Sequence, residues 1–296
     1  MRDDFRTETQ VCHGGMRFLR SRSAIGRMDS ASTEDSDESS SIAPSKRGRC
    51  VVSDPRVLAL VPARGGSKGV PKKNLRLVDG VSLVHRAIQL AKASASVTEI
   101  HVSTDDSEIA EHVRALGDYA QFPRDARWAT DDARDEEVVA FVLDEFDRRG
   151  RSFDYLVYLR PTAPCRDLNL IDKAFAEFRQ ATSARSLKAV STARQHPYKM
   201  WWRDEAGFLS PILPELHDQF DGVVDVPRQE LPIAVASSAA IDIVRVADFR
   251  RDGLIHTFEI LGFEIPADID IDVDTELDLQ VAELTARTMK ARKDDF

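Results

Sequence analysis

Residues 57–74 read Val57-Leu-Ala-Leu-Val-Pro-Ala-Arg-Gly-Gly-Ser-Lys-Gly-Val-Pro-Lys-Lys-Asn74. The first five residues have the length and apolar character of a buried strand, and a glycine-rich loop follows them. Ligands of open α/β sheets bind at the carboxyl ends of strands, and glycines let backbone N–H groups approach phosphate oxygens. The loop also places four cations within ten residues, namely Arg64, Lys68, Lys72 and Lys73. We therefore predict a polyphosphate site, with a flexible basic surface loop as the alternative, since neither the Walker spacing nor Gly-x-Gly-x-x-Gly is present.

Strand-like and helix-like segments alternate from here to the end of the chain. Short apolar runs and apolar residues at helical spacing distinguish the two kinds of segment. The predicted strands lie at residues 57–61, 99–103, 155–159, 187–191 and 240–246, and the predicted helices at 82–93, 106–116, 131–149, 167–180 and 275–289. Strands and helices joined by short connections predict an α/β fold with a mainly parallel, doubly wound sheet.

Two C-terminal features supplement this pattern. Residues 197–232 break the alternation with five prolines and the pair Trp201-Trp202, which predicts a protruding arm. In the last predicted helix, helical spacing leads us to expect Leu277, Val281 and Leu284 to face inward.

Residues 1–54 differ in composition from the remainder. Within them, residues 28–41 are acidic, serine-rich and low in complexity, so they cannot bury enough apolar area to offset the entropy of ordering. We predict a disordered tail over 1–54 and one domain over 55–296. The tail lacks the apolar segment of a signal peptide, and a true start at Met28 is an alternative.

Composition narrows the classes of function. Of the 296 residues, 42% are hydrophobic, which is enough for a sizeable core, and the formal net charge of -9 argues against a nucleic-acid binder. No apolar run approaches the roughly 18 residues of a membrane span. Cys12, Cys50 and Cys165 form neither a disulfide framework nor a zinc site, which predicts a reducing, cytoplasmic location.

A run of alternate aspartates occupies residues 268–278. On an extended segment these side chains point to one face, where clustered carboxylates are costly unless a cation neutralises them. Hard oxygen ligands of this kind suit magnesium. Alternatively, Asp274-Thr275 caps a helix whose first turn carries Glu276 and Asp278. A phosphate loop and a magnesium edge together indicate nucleotidyl transfer.

The sequence resembles the N-acylneuraminate cytidylyltransferases, or CMP-sialic acid synthetases, over about residues 56–290. The signature loop is Pro62–Asn74, and five further motifs follow in the family's order. They are Val102-Ser-Thr-Asp105, Leu159-Arg-Pro-Thr-Ala-Pro-Cys-Arg166, His196-Pro-Tyr-Lys-Met-Trp201, Arg228-Gln-Glu-Leu-Pro232 and Asp270-Ile-Asp-Val-Asp-Thr-Glu-Leu-Asp278. The resemblance implies a Rossmann-like nucleotide-diphospho-sugar transferase fold whose arm, about residues 197–232, forms a homodimer.

The family is a nucleotidyltransferase family that couples CTP to the anomeric hydroxyl of a 2-keto-3-deoxy nonulosonic acid, with magnesium and release of pyrophosphate. The resemblance implies in-line attack on the α-phosphate. It implies catalytic roles for Arg64, Lys68, Lys73, Asp272 and Asp274, the last two as metal ligands. The implied nucleotide-binding residues are Arg64, Gly65, Gly66, Ser67, Lys68, Lys73, Asn74, Ser103 and Asp105. The implied sugar-binding residues are Arg160, Thr162, Lys199, Arg228 and Gln229.

Other residues have plainer interpretations. Asp105 could serve only to cap the helix that follows it, His196 is expected to be structural, and the chemistry does not need Cys165 as a nucleophile. Arg160 stands where the family often has Gln, and Asp242 where it often has an aromatic residue. An arginine can pair with a carboxylate or an acyl oxygen, so sialic, legionaminic and pseudaminic types all stay open.

Two alternative functions are kept. The first is 3-deoxy-manno-octulosonate cytidylyltransferase, which usually has Arg-Leu-Pro-Gly-Lys-Pro in the first loop. The second is a catalytically silent nucleotide-binding protein, and the presence of Arg64, Lys68, Asp272 and Asp274 argues against it.

Overall fold

The computed structural model describes residues 54–130, 132–220, 222 and 225–294. All but the last residue of the predicted disordered tail, 1–54, lies outside the described residues. No helix among those described combines the length and the apolar character needed to cross a membrane.

The centre of the fold is a six-stranded sheet. The strands of the described chain, in sequence order, are β1 (Val57–Pro62), β2 (Leu77–Val78), β3 (Val81–Ser82), β4 (Glu99–Ser103), β5 (Tyr155–Tyr158), β6 (Ser186–Thr192), β7 (Trp201–Arg203), β8 (Leu209–Pro211), β9 (Val235–Arg245) and β10 (Ile260–Glu264). The central order is β10-β6-β9-β5-β1-β4, and β9 alone in this sheet runs antiparallel to its neighbours. The predicted mainly parallel α/β sheet is therefore confirmed.

The helices of the described chain are α1 (Leu83–Ala93), α2 (Ser107–Leu116), α3 (Asp135–Arg148), α4 (Leu170–Gln180), α5 (Pro214–Asp218), α6 (Val246–Asp252) and α7 (Glu276–Asp294). Five of them correspond to predicted segments, although α3 and α4 begin four and three residues later than predicted and α7 ends five residues later. α5 and α6 were not predicted. α1 and α2 each begin one residue later than predicted, because Ser82 and Asp106 cap them. The side chains of these two residues accept hydrogen bonds from the backbone N–H groups of His85 (3.3 Å) and Ile109 (3.0 Å).

Alternate residues of β1 belong to two apolar cores. Val57, Ala59 and Val61 pack with residues of α1 and α4, whereas Leu58 and Leu60 pack with residues of α3. A strand buried on both faces needs an unbroken apolar run, which explains the sequence of this segment. The doubly wound packing fixes the end of β1, and with it the start of the glycine-rich loop.

α7 packs through a face other than the predicted one. Leu277, Val281 and Leu284 are 67%, 40% and 68% exposed, so the expectation that they face inward was wrong. The buried residues of the helix include Leu279, Ala282 and Ala286. The small side chain of Ala282 permits a close approach, and the Sγ atom of Cys165 lies 3.4 Å from its carbonyl oxygen. Leu279, Ala282 and Ala286 belong to an apolar cluster with Ile271 and Val273, which buries this face of the helix.

Residues 197–232 form a short hairpin of β7 and β8 followed by α5. A small apolar cluster of Tyr198, Val226 and Leu231 holds this arm together, and the ring of Tyr198 stacks on His217 at 4.2 Å. His196 accepts a hydrogen bond at Nδ1 from the Tyr198 N–H, and its Nε2 lies 2.8 Å from the Pro232 carbonyl oxygen. These contacts give His196 the structural role that was expected.

Candidate active site

A cavity of about 520 Å³ opens at the carboxyl end of β1, within the size range of small-molecule sites. It is lined by the loop after β1, the segment between α2 and α3, the end of β5 and the aspartate run. Eight predicted site residues line it, namely Arg64, Ser67, Lys68, Lys73, Asn74, Arg160, Thr162 and Asp274. Segments about 200 positions apart in sequence therefore meet around one space.

Two of the loop glycines are required by close approach. A Cβ on Gly65 would lie 2.5 Å from Oδ2 of Asp106, and one on Gly69 would lie 2.1 Å from the backbone oxygen of Asp274. Such distances leave no room for a side chain. The glycine-rich loop is thus folded down onto both the start of α2 and the aspartate run.

Side chains at the base of the loop fix its path. The backbone N–H of Gly65 donates to Oδ1 of Asp105 at 3.1 Å, and Nδ2 of Asn74 donates to the carbonyl oxygen of Arg64 at 2.9 Å. The plainer interpretation of Asp105 as a helix cap was wrong, because Asp106 caps α2. Asn74, which lines the cavity, and Asp105, which does not, both shape the glycine-rich loop.

A helix cap, one of the two interpretations that the sequence left open for the aspartate run, is present in the structure. Thr275 caps α7, since its Oγ1 accepts from the Asp278 N–H at 3.2 Å while its own N–H donates to Oδ2 of Asp278 at 2.8 Å. Just before it, Asp272 and Asp274 are exposed while Ile271 and Val273 are buried. The two exposed carboxylates therefore share one side of an extended segment, as predicted.

The neighbouring Asp270 anchors the run to the sheet. Its Oδ2 accepts from Oγ of Ser191 and its Oδ1 from Oγ of Ser238, both at 2.6 Å. These serines belong to β6 and β9. Further along the run, Oδ1 of Asp274 lies 3.0 Å from Nζ of Lys73, and this contact joins the run to the glycine-rich loop.

The donor set of Asp272 and Asp274 fits magnesium that shares its coordination with a nucleotide. Magnesium in phosphoryl-transfer sites is usually held by one or two carboxylates together with phosphates and water. Over the described residues, no cluster of three or more His, Cys, Asp or Glu side chains is arranged for a metal. The two exposed carboxylates thus suit an ion that arrives with its substrate rather than one held in a protein cage.

The cavity lining includes a buried arginine that the sequence did not single out. Arg124 is 6% exposed, and it donates from Nε to Oγ of Ser103 at 3.1 Å and from Nη2 to the Ser103 carbonyl oxygen at 2.7 Å. Ser103 itself is buried behind the lining and contributes by orienting Arg124. Trp128, Thr130, Ala133 and Asp135 also line the cavity. Trp128, Thr130 and Ala133 come from the irregular segment before α3, whereas Asp135 is the first residue of that helix.

Several predicted residues lie outside the cavity lining, and their roles stay predictions. Gly65, Gly66, Asp105 and Asp272 adjoin it through the loop and the aspartate run. The three residues predicted to reach the sugar from the arm, Lys199, Arg228 and Gln229, do not line it in the described chain. Arg228 is exposed and donates from Nη2 to the carbonyl oxygen of Ala193 at 2.5 Å.

Cys165 has no features of a nucleophile. Its side chain is buried, and burial raises the pKa of the thiol to about 11. The thiol is therefore protonated at neutral pH, in agreement with the expectation that the chemistry does not use it.

Comparison with known proteins agrees with this geometry. A sequence-family model described as cytidylyltransferase matches residues 58–204. The post-translational flagellin modification protein B of Campylobacter coli is 30% identical over 246 residues, which cover 81% of this chain and 99% of that protein. This chain belongs to the cytidylyltransferase family. It is accordingly a nucleotidyltransferase, as the motifs implied.

A related enzyme and a solved structure are also similar to this cytidylyltransferase. The CMP-N,N'-diacetyllegionaminic acid synthase of Legionella pneumophila is 34% identical over 168 residues, or 56% of this chain and 70% of that enzyme. A solved structure of CMP:2-keto-3-deoxy-manno-octonic acid synthetase with CTP has a TM-score of 0.57 and 18% identity, covering 80% of this chain and 99% of that one. The structural likeness shows the shared fold.

Proposed function

We propose that this cytidylyltransferase transfers the CMP group of CTP to the anomeric hydroxyl of a nonulosonic acid and releases pyrophosphate. Sialic, legionaminic and pseudaminic acids are the candidate acceptors. The resemblance to acylneuraminate cytidylyltransferases and the similarity to a legionaminic acid synthase support this class of substrate. We further propose that magnesium is required and that Asp272 and Asp274 bind it.

One structural observation carries the proposal. The basic loop after β1 and the aspartate run meet at one wall of the cavity, where Lys73 bonds to Asp274 across 201 positions of sequence. A nucleoside triphosphate needs cations for its phosphates and carboxylates for its metal ion, and this wall offers both.

The mechanism follows from positioning and charge. Arg64, Lys68 and Lys73 line the cavity and would neutralise the triphosphate, while the loop backbone contributes N–H donors. When bound, magnesium would polarise the α-phosphate and offset the charge on the leaving pyrophosphate. The chain's part is to hold the anomeric hydroxyl in line with the α-phosphorus, for which no covalent nucleophile is needed.

The same proposal includes a homodimer formed by the arm and a cytoplasmic location. The arm's hairpin exposes Trp202, Phe208 and Leu209, and an exposed apolar patch of this kind supports a protein contact. The location rests on the small, scattered set of three cysteines in the sequence, of which Cys165 is a buried free thiol.

Pyrophosphate release by the purified full chain tests the proposal. The four nucleoside triphosphates are screened with magnesium against N-acetylneuraminic, N,N'-diacetyllegionaminic, pseudaminic and 3-deoxy-manno-octulosonic acids. We expect release only with CTP and at least one nine-carbon acid. Release with the eight-carbon acid alone would replace the proposed acceptor class. No release with any pair, from folded protein that binds CTP, would contradict the transferase activity proposed for these sugars.

A further inference from the structure

Arg160 is enclosed by side chains of its own chain. Its Nη1 donates to Oδ2 of Asp242 at 2.5 Å and its Nη2 donates to Oδ2 of Asp135 at 2.7 Å. The guanidinium carbon lies 4.9 Å from the centre of the Tyr158 ring, and the Tyr158 hydroxyl donates to Oδ1 of Asp135 at 2.8 Å. The plane and the position of the guanidinium are thereby fixed, because two carboxylates and an aromatic face hold it together.

Asp242 supplies the inner support of this cluster. It is fully buried, and its Oδ1 lies 3.2 Å from both Nζ of Lys188 and Nε2 of His256. Burial opposes ionisation, yet the hydrogen bond from His256 and the positive charges of Arg160 and Lys188 lower the pKa of Asp242 to about 2. This carboxylate stays charged at neutral pH and holds Arg160 without touching the cavity.

Arg160 is paired with carboxylates of its own chain. Two cations, Arg160 and Lys188, face two carboxylates, Asp135 and Asp242. Arg160 is therefore not an isolated positive charge that awaits a substrate carboxylate, which was one role open to it from the sequence. The two departures from the family pattern, Arg160 and Asp242, are instead partners in a single ion pair.

This cluster presents a hydrogen-bond acceptor and a hydrogen-bond donor side by side to the cavity. The side chains of Asp135 and Arg160 both line the cavity, and they are 43% and 25% exposed. Each oxygen of Asp135 accepts one of the hydrogen bonds described, and a carboxylate has about four acceptor sites in all. The guanidinium has five N–H donors, of which the bonds to the two carboxylates engage two.

The geometry points to Asp135 and Arg160 as a specificity element that binds an acylamido substituent of the acceptor sugar. Asp135 accepts a hydrogen bond from the amide N–H, and Arg160 donates to the amide carbonyl oxygen. A secondary amide carries its donor and acceptor side by side, as this pair does. The inference rests on the proposed function and deepens it, because it names the substituent that separates acylamido nonulosonic acids from the nitrogen-free eight-carbon acid.

The cytosine amino group is the competing occupant, since it too donates to a carboxylate. The two occupants predict losses in different constants. Loss of the sugar contact raises the KM of the sugar, whereas loss of a base contact weakens the binding of CTP. The effect of one substitution on both constants therefore decides between them.

Asp135→Asn removes the charged acceptor with little change in volume. Glu136→Gln is the matched control, because it removes the same charge from the same first turn of α3 at a residue outside the cavity lining. The probes are N-acetylneuraminic and N,N'-diacetyllegionaminic acids, each paired with the analogue that carries hydroxyl groups in place of acetamido groups. CTP binding is measured separately by calorimetry.

Asp135→Asn is expected to raise the KM of the accepted acetamido sugar about ten-fold, because it disrupts a hydrogen bond to a charged acceptor. The KM of the hydroxyl analogue and the Kd of CTP should change much less, and Glu136→Gln should match the unaltered protein. Equal effects on both members of a sugar pair, no effect, or a loss confined to CTP binding would overturn the inference. Failure of the unaltered protein to use any sugar would contradict the proposed function first, before any variant is compared.

Asp242→Asn tests the positioning role of the buried carboxylate. This residue does not line the cavity, so a purely structural role would change the thermal midpoint and leave the sugar preference intact. Positioning through Arg160 instead predicts a smaller ratio of kcat/KM between the acetamido sugar and its hydroxyl analogue in the folded variant. An unchanged ratio in folded Asp242→Asn would remove this role. If that variant does not fold, Arg160→Gln provides the same ratio from the partially exposed partner.

Discussion

The backbone oxygen of Asp274 occupies the space that a side chain on Gly69 would need, 2.1 Å from the position of its Cβ. The glycine-rich loop and the aspartate run thus meet backbone to backbone. Their spacing does not depend on a flexible side chain, and the bond from Lys73 to Asp274 crosses the same junction. The relative position of the cations and the carboxylates is built into the fold.

Gly69→Ala should therefore separate the two segments. A backbone oxygen cannot swing aside as a side chain can, and a displacement near 1 Å in an active site can cost about 100-fold in rate. We expect a loss of that order in kcat/KM for pyrophosphate release. Gly262→Ala on edge strand β10 is the control, since its Cβ would lie 3.6 Å from Val190, an ordinary contact. Equal activity of both variants would show that the junction is pliable.

Asp274→Asn should abolish turnover while the protein stays folded. The side chain of Asp274 is 72% exposed, so its loss leaves the core intact, but the proposed metal site loses a ligand. We expect a fall in kcat of about 100-fold or more and an unchanged thermal midpoint. Asp268→Asn, in the same run but paired with Arg292, should keep its activity. Full activity of Asp274→Asn over a magnesium titration would remove the metal assignment.

His101 should make the protein less stable in mild acid. Its ring stacks on Phe122 at 4.1 Å, and neither ring nitrogen has a hydrogen-bond partner among the described residues. Burial and the charge of Arg124 lower the pKa of His101 from 6.5 to about 3. Between pH 6.5 and about 3, the His101 ring is protonated in the unfolded chain but neutral in the folded protein. The free energy of unfolding therefore falls as the pH decreases below about 6.5.

The size of this effect can be measured by urea unfolding. From pH 7 to pH 5, the free energy of unfolding should fall by about 2 kcal/mol more in the unaltered protein than in His101→Phe. The phenylalanine keeps the aromatic packing and has no proton to bind. If the free energy of unfolding depended on pH equally in the two proteins, the expected shift in the pKa of His101 would be contradicted.

The exposed hairpin should mediate assembly. Sedimentation of the unaltered chain should give about twice its mass of 33.1 kDa, and the double variant Trp202→Ser/Phe208→Ser should sediment near the single-chain mass. Phe258→Ser removes a still more exposed aromatic residue, which lies outside the arm, and should leave the mass unchanged. A single-chain mass for the unaltered protein at micromolar concentration would exclude the proposed dimer.

Local patterns predicted five of the six strands of the central sheet, most ends of the corresponding helices to within one residue, and one side of the cavity lining, but they missed β10. The strand before the loop, the cations of the loop and the alternation of Asp272 and Asp274 all depend on residues close in sequence. The face of α7 was mispredicted because leucine and valine spacing was weighed above the alanines. The contact between Sγ of Cys165 and the carbonyl oxygen of Ala282 joins residues 117 positions apart, which helical periodicity cannot reveal.

The side of the cavity around Arg160 and Arg124 could not be predicted, because its chemistry depends on contacts between residues that are distant in sequence. Arg160 meets Asp135 and Asp242 at separations of 25 and 82 positions, so its neutralisation is visible only in three dimensions. Arg124 lies in an irregular segment, and its orientation comes from Ser103 on a neighbouring strand. A sequence motif gives the position of a charged residue. The contacts of its side chain with residues distant in sequence determine which of its hydrogen-bonding groups a ligand can use.

Strand β9 begins at Val235, shortly after the arm, and carries Asp242 seven positions later, with an irregularity in its pairing to β6 between Ser237 and Asp242. A fully extended strand of that length spans at most about 23 Å. The arm and the counter-ion of Arg160 are therefore joined by one strand, which pairs with β6 on both sides of the irregularity and with β5 only from Asp242 onward. In the proposed dimer, a contact made by the arm would thus be connected to Arg160 through a single strand.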